Sequence, residues 1–535
     1  MSIRVHKNSS YLNAKSTVGT QTRVKDVSPT SGMCPLCIRD CPFLCEVGLS
    51  TFRGREALYP EPKQFGYSTA SALKDFRLDW SDLNIQSALF KAEGIEEDSD
   101  RALFQNVNVE SEVSGVPLKI PILTGAFGST EVARLNWDGL AIGAALAGVI
   151  ITIGENVCGM DPESKITKGK VTHSKELKRR VETFRKFWDE KYGEVVVQTN
   201  VEDQRLGVDV YALSKLEVNI IERKWGQGAK AIGGEVRIRD LEKAVMLKKR
   251  GYFLFPDPDD KTVQEAFKDG VFESFERHSR VGIPTQRGFL EDIDWLRSQG
   301  AKHVILKTGA YRASAVAFTM KLASEAKIEA VTFDGAGGGT GMSPVPMMDE
   351  MSTPTVYLEA QVLKCAEILR KKGRHIPDII LAGGVIKESQ MFKAIAMSNF
   401  GKGPYIKAVL MARAPLLAVM KSSYFVELSE KGKLPRTFAQ RYGTTPDKFF
   451  ITTPELKTEY GERIKQIPWE AVGLYTYLNE RIKVGLMQLM AGARKWKLDL
   501  LDRNDLVALT ERASKVTGIP LLEEAEEDAI EKILD

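Results

Sequence analysis

The sequence predicts an α/β protein: a (β/α)8 TIM barrel, preceded by a cysteine-bearing extension and followed by a helical region. Three observations lead there. Between about residues 116 and 430, eight short apolar runs of strand character alternate with longer helical stretches, the size and rhythm of a closed parallel barrel. Most of the runs end beside a Gly, Lys, Asp or other polar residue, as loops at a barrel mouth require. Two of them open into glycine-rich loops, where an α/β protein places its ligand. A doubly wound α/β sheet is the competing topology.

The expected strands are Lys119–Leu123, Gly148–Ile153, Glu194–Thr199, Glu217–Glu222, His303–Lys307, Ile328–Asp334, Asp378–Ala382 and Ile406–Met411. The sixth is the centre of the reading. Its β-branched, apolar run suits a buried strand, and it breaks after Asp334 into Gly335, Gly337, Gly338, Gly339 and Gly341, with Thr340 and Ser343 among them. Glycine lets a backbone come very close to a ligand. A second loop of this kind follows the seventh strand at Gly383 and Gly384. The long interval 223–302 reads as an insertion able to cover the mouth. Residues 1–115 form an arm and cysteine region, 116–430 the barrel and 431–535 a helical extension. In the last, Trp469–Trp496 and Asp505–Val516 carry apolar residues at helical spacing.

At 535 residues, with 43% hydrophobic and 27% charged residues, the chain has the composition of a soluble globular protein. A formal net charge of +4 predicts neither a nucleic-acid footprint nor a membrane-surface patch. No apolar run approaches the ~20 residues of a spanning helix. The opening Met1–His6 lacks the apolar core of a signal peptide. Six cysteines in so long a chain make no disulfide scaffold, so a cytoplasmic location is expected.

Four of those cysteines, Cys34, Cys37, Cys41 and Cys45, fall within twelve residues in a C-x2-C-x3-C-x3-C run. Four thiolates this close can converge on one metal centre, and soft sulfur selects an iron–sulfur cluster or zinc. The compact spacing and its Cys-Pro steps favour an iron–sulfur cluster, the two knuckles of a structural zinc site being more widely separated. Of the other two, Cys158 has no evident base or cation beside it and reads as buried and inert. Cys365 lies on an amphipathic helix and reads as packing.

Taken together, the stretches from about Pro117 to Val426 resemble the FMN-binding synthase domain of glutamate synthase. The small-residue loop Ile122–Ser129 corresponds to the family's flavin-contacting loop. Gly154-Glu155 and Val197-Gln198 match steps after the second strand and on the third. Gln227–Lys230 reproduces the family's Gln-Gly-Ala-Lys loop, and Lys307 its barrel-strand lysine. Asp334–Pro344 is similar to the family's Asp-Gly-Gly-Thr-Gly-Ala-Ser-Pro loop, and Gly383-Gly384 to its phosphate-binding pair. The sequence also departs from the family. Met1-Ser2 cannot supply the N-terminal cysteine of a glutaminase domain. The family's cluster cysteines are missing from Pro415–Glu427, and its Lys-Pro-Gly-Glu-Gly-Gly step becomes Lys230–Glu235.

The resemblance implies an FMN- and iron–sulfur-dependent oxidoreductase of the glutamate synthase type, acting on CH–NH2 donors. Electrons would pass from a ferredoxin-like donor, through a 4Fe-4S centre or its zinc-bound alternative, to FMN. The acceptor would be a 2-imino acid formed from 2-oxoglutarate and ammonia, the latter free or from a separate subunit. For the cofactor, Gly383, Gly384, Ala412 and Arg413 are expected at the phosphate and Lys307 at the ring's N1–C2=O edge. Gly125, Ala126 and Phe127 are expected near N5, Gln198 on the pyrimidine side, and Asp334, Gly337, Gly338 and Gly339 in the glycine loop. Lys230, Glu235 and Lys307 are the expected catalytic groups. Arg237, Arg239 and Arg312 are further available cations, the first two better read as surface residues, as are His173 and His278. A homo-oligomer is expected. The competing readings are the same barrel acting on another imine, oxo acid or heterocycle, and an electron-relay or redox-sensing subunit.

Overall fold

The structure, a computed structural model, describes Thr51 and residues 76–535 apart from 229–231, 337 and 339–342. Eight parallel strands close into a barrel: Ile122–Phe127, Ile150–Ile153, Val195–Thr199, Ile220–Lys224, His303–Thr308, Ala330–Asp334, Asp378–Ala382 and Ile406–Met411. Each expected strand is present, and the eighth pairs back onto the first through Val409 and Ile122. The doubly wound alternative, which would leave an open sheet, is thereby corrected: closure leaves no strand edge unpaired.

Two apolar layers hold the barrel. Inside, Leu123, Ile150, Val196, Ile220, Ile305 and Ile380 pack against one another, all at most 1% exposed. Outside, the alternate residues of the same strands meet the helices in a much larger core, as the two-residue period of a strand requires. The hairpin of Ser111–Val113 and Val116–Leu118 stops the N-terminal end of the barrel. Its Val113 and Leu118 join the interior cluster, and the Ser114 backbone N–H donates to Asp378 Oδ2 at 2.9 Å.

Between the fourth and fifth barrel strands the chain builds a three-stranded antiparallel sheet, in the order Glu235–Ile238, Phe275–His278, Phe253–Phe255. Its register pairs Glu235 with His278, Val236 with Arg277 and Arg237 with Glu276. Alternation therefore sends Phe275 and Arg277, 0% and 2% exposed, to the inner face. Glu276 and His278 go to the outer one.

The two ends of the described chain meet. Leu83–Ile85 pairs antiparallel with Leu506–Ala508, and bridges join Glu93 to Lys495 and Asn108 to Lys497. The helix Trp469–Tyr475 lies against the helix Trp137–Ala147, where Gly139 and Gly143 permit the approach. A Cβ at Gly143 would stand 2.8 Å from Leu474 Cβ. Among the described residues no helix is long and apolar enough to cross a membrane.

Candidate active site

At the C-terminal ends of the barrel strands lies a cavity of about 480 Å³, within the range of small-molecule and cofactor sites. It has a polar floor, a basic rim and a roof. Lys307, 5% exposed, rises from the fifth strand, with Nζ 3.6 Å from Asp334 Oδ2 on the sixth. Beside them Gln198 Nε2 donates to Glu222 Oε1 at 2.5 Å. Burial pushes the Glu222 carboxyl up, against the pull of Lys307. Gln198 Oε1 and Glu222 Oε2 are buried without a partner among the described residues, as are the Thr152, Thr308 and Thr332 hydroxyls at the same strand ends. Unmatched buried polar atoms are costly unless a ligand or water completes them.

The rim is made by the ends of the sixth to eighth strands. Gly383 and Gly384 adopt φ of +112° and +83°. A Cβ on Gly383 would come within 2.7 Å of the Gly335 backbone nitrogen, so the two loops touch only because that side chain is missing. Gly338 is similarly constrained, since its Cβ would lie 2.2 Å from Asp334 Oδ1. The helix Arg413–Glu430 begins here without a side-chain cap. Its first N–H groups are thus free to receive an anion, and Arg413 makes no ion pair with any described residue. The inserted sheet supplies the roof, through Gly234, Val236, Arg277 and Ser279.

Most of the sequence-predicted residues converge. Ala126, Phe127, Gln198, Lys307, Asp334, Gly338, Gly383, Gly384, Ala412 and Arg413 line this one cavity. Gly125 sits in the first strand behind them. Glu235 does not reach the cavity: it points to the outer face of the inserted sheet, opposite His278. There Glu235, Glu276 and His278 bring possible metal-ligating atoms within 4.8 Å of one another, and Arg237, paired across from Glu276, shares the face. Arg237, Arg239 and Arg312 are exposed and line nothing in the cavity. Lys230, Gly337, Gly339 and the four cysteines Cys34, Cys37, Cys41 and Cys45 lie outside the described residues. Cys158 is 0% exposed, and burial pushes its thiol up to about 12, which suits an inert packing residue. Sequence reasoning passed over Glu222, Lys224 and Arg277. For Arg277 the sequence offers no signal, since its strand is only four residues long.

Asp203, behind this site, gives a pH prediction. Its Oδ2 accepts from the backbone N–H of Asn156 at 2.9 Å, and burial pushes the carboxyl up to about 7. The unfolded chain releases this proton near pH 4. From there to about pH 7 the native state binds more protons, so Asp203 makes stability fall as pH rises. In Asp203→Asn, the melting temperature relative to wild type should increase between pH 5.5 and 8.5. A difference independent of pH would show that Asp203 does not carry the proton.

The fold and cavity define a (β/α)8-barrel protein whose mouth combines a buried lysine with an anion-receiving rim. Residues 280–419 match the conserved region in glutamate synthase. That segment runs from the end of the roof through the last four barrel strands into the helix Arg413–Glu430. Over that segment the chain carries the conserved region of the glutamate synthase family, as its motifs led one to expect. No curated protein matches the chain in sequence. Similar solved structures include a soluble mutant of the membrane-associated (S)-mandelate dehydrogenase from Pseudomonas putida. It is 15% identical, with 80% of this chain and 88% of that one covered and a TM-score of 0.41. Another is a mandelate oxidase variant with a monooxide FMN adduct, 11% identical, covering 78% and 86% of the two chains at a TM-score of 0.40.

Proposed function

We propose that this chain is an FMN-dependent oxidoreductase that reduces a 2-imino acid such as 2-iminoglutarate, formed from 2-oxoglutarate and ammonia. The observation that carries the reading is the convergence of Lys307, Gln198, the Gly383-Gly384 loop and Arg413 on one cavity. When bound, FMN supplies hydride transfer. The chain's own residues do the rest. Arg413, the two glycine backbones and the uncapped helix end would hold the phosphate. Lys307 would sit at the ring edge that gains negative charge, where a fixed cation favours the reduced form. Gln198 has an unused acceptor for the ring's pyrimidine side. Phe127 forms an apolar wall, and the roof excludes water, strengthening every charge beneath it.

On this reading, electrons enter from a ferredoxin-like protein through an iron–sulfur cluster held by Cys34, Cys37, Cys41 and Cys45. One observation favours a second substrate within the same chemistry. Glu235, the expected partner of the reacting amine, faces away from the cavity, so another imine or oxo acid fits the altered loop equally well. The deciding experiment is oxygen-free purification followed by visible spectroscopy, iron and zinc analysis, and turnover with reduced ferredoxin, 2-oxoglutarate and ammonia. Flavin, about four irons per chain and glutamate production are expected. Flavin reduction without glutamate would move the assignment to another acceptor. Zinc in place of iron would end the electron-entry proposal, and a chain that takes up no FMN would defeat the reading.

A further inference from the structure

Arg277 presents an unusual balance of charge. It is 2% exposed and lines the cavity from the roof, facing the same space as Lys307 and Gln198. Among the described residues its hydrogen bonding is confined to Nη1, which donates to Ser279 Oγ at 2.6 Å. Nε is buried with no partner. The Tyr252 ring lies beside the guanidinium, 5.2 Å from centroid to Cζ, and fixes its plane.

The carboxylates whose field reaches Arg277 are Glu155, Glu202 and Asp203, and each is engaged elsewhere. Glu155 pairs with Lys224 at 2.9 Å. Glu202 pairs with Arg280 at 2.8 Å and Arg205 at 3.3 Å. Asp203 accepts from the Asn156 N–H. A buried guanidinium without an ion partner is destabilising, a cost that an arriving anion would offset. The edge left open is Nε with Nη2, the side-on fork that receives both oxygens of a carboxylate.

We propose that Arg277, steadied by Ser279 and Tyr252, is the substrate-carboxylate receptor of this site and restricts it to small organic acids. Neither the match over residues 280–419 nor the rim that would hold a phosphate includes it. The inference rests on the flavin-site reading for its catalytic meaning, but its binding test does not require flavin. Calorimetry on the full-length protein uses pyruvate and 2-oxoglutarate as probes, with methyl pyruvate as the uncharged control and sulfate as a different anion.

At least one 2-oxo acid should bind while methyl pyruvate does not. Arg277→Met should weaken that binding about 100-fold, and Arg277→Lys, which lacks the planar fork, roughly 10-fold. Ligand-free Arg277→Met should melt no lower than wild type, because it removes an unpaired buried cation. Unchanged affinity in Arg277→Met, no acid binding by wild type, or sulfate binding as tight as the acids would each overturn the assignment. So would a lowered melting temperature in ligand-free Arg277→Met, which would make the residue structural. The visible spectrum of the same samples keeps the two ideas apart. FMN present with unchanged acid affinity defeats Arg277 alone, whereas Arg277-dependent affinity without FMN defeats the flavin reading alone.

Discussion

Lys307→Met should leave FMN bound while lowering turnover by 10²- to 10³-fold, roughly 2.7–4 kcal/mol of lost charge stabilisation. The side chains are of similar length, so the change removes a charge and little volume. Lys307 is 5% exposed, beside Asp334 and the buried Glu222. Its loss leaves two acids facing the space into which negative charge would flow on reduction. The flavin midpoint potential should therefore fall, by roughly 60–90 mV if the whole effect appears in the two-electron couple. FMN content should hold, because the phosphate would be gripped at the other end of the cavity by the Gly383-Gly384 loop and Arg413. An unchanged potential would remove Lys307 from the ring edge, whatever happened to turnover.

Gly383→Ala should abolish FMN retention and destabilise the protein by about 3 kcal/mol or more. Two costs combine. The residue is held at φ +112°, and a side chain there is strained by about 1–3 kcal/mol. Its Cβ would also meet the Gly335 nitrogen at 2.7 Å, Thr355 Oγ1 at 2.7 Å and the Gly335 oxygen at 2.8 Å, and two of these are backbone atoms that cannot turn aside. Relief requires parting the loops that follow the sixth and seventh strands. Gly401→Ala is the matched control: φ is +83° but nothing lies within 4 Å, so only the conformational term, about 1 kcal/mol, should appear. Urea unfolding and FMN retention on gel filtration read both variants. Equal losses in the two would show that loop contact contributes nothing.

The barrel was legible because its strands are short, apolar and separated by helical sequence, and the pattern survives wherever a strand is buried on both faces. It blurred where strands approach the site. The fourth was expected to end at Glu222, yet it continues through Arg223 to Lys224. The polar residues that end it serve different masters: Arg223 turns outward to Asp209 and Asp292, Glu222 bonds to Gln198, and Lys224 lines the cavity. The first strand likewise runs on to Phe127 through Thr124, Gly125 and Ala126, which read as loop. Strand pattern fails where function replaces apolar residues. The glycine loops announced themselves through composition. The roof did not, since strands of three and four residues leave too few periods to recognise. Nor does a lone arginine between Glu276 and His278 reveal that it is buried, because its burial depends on which sheet face meets the barrel.

The pairing of Leu83–Ile85 with Leu506–Ala508 has a consequence for the order of assembly. About 420 residues separate the partners. On a ribosome adding 5–20 residues each second, roughly 20–80 s pass between them. Leu83, 1% exposed in the finished fold, waits through that interval with no strand beside it, while the barrel strands become available in turn. The earliest of the described strands is therefore among the last to be satisfied, and the seam is a clasp that cannot fasten until Leu506–Ala508 has been made.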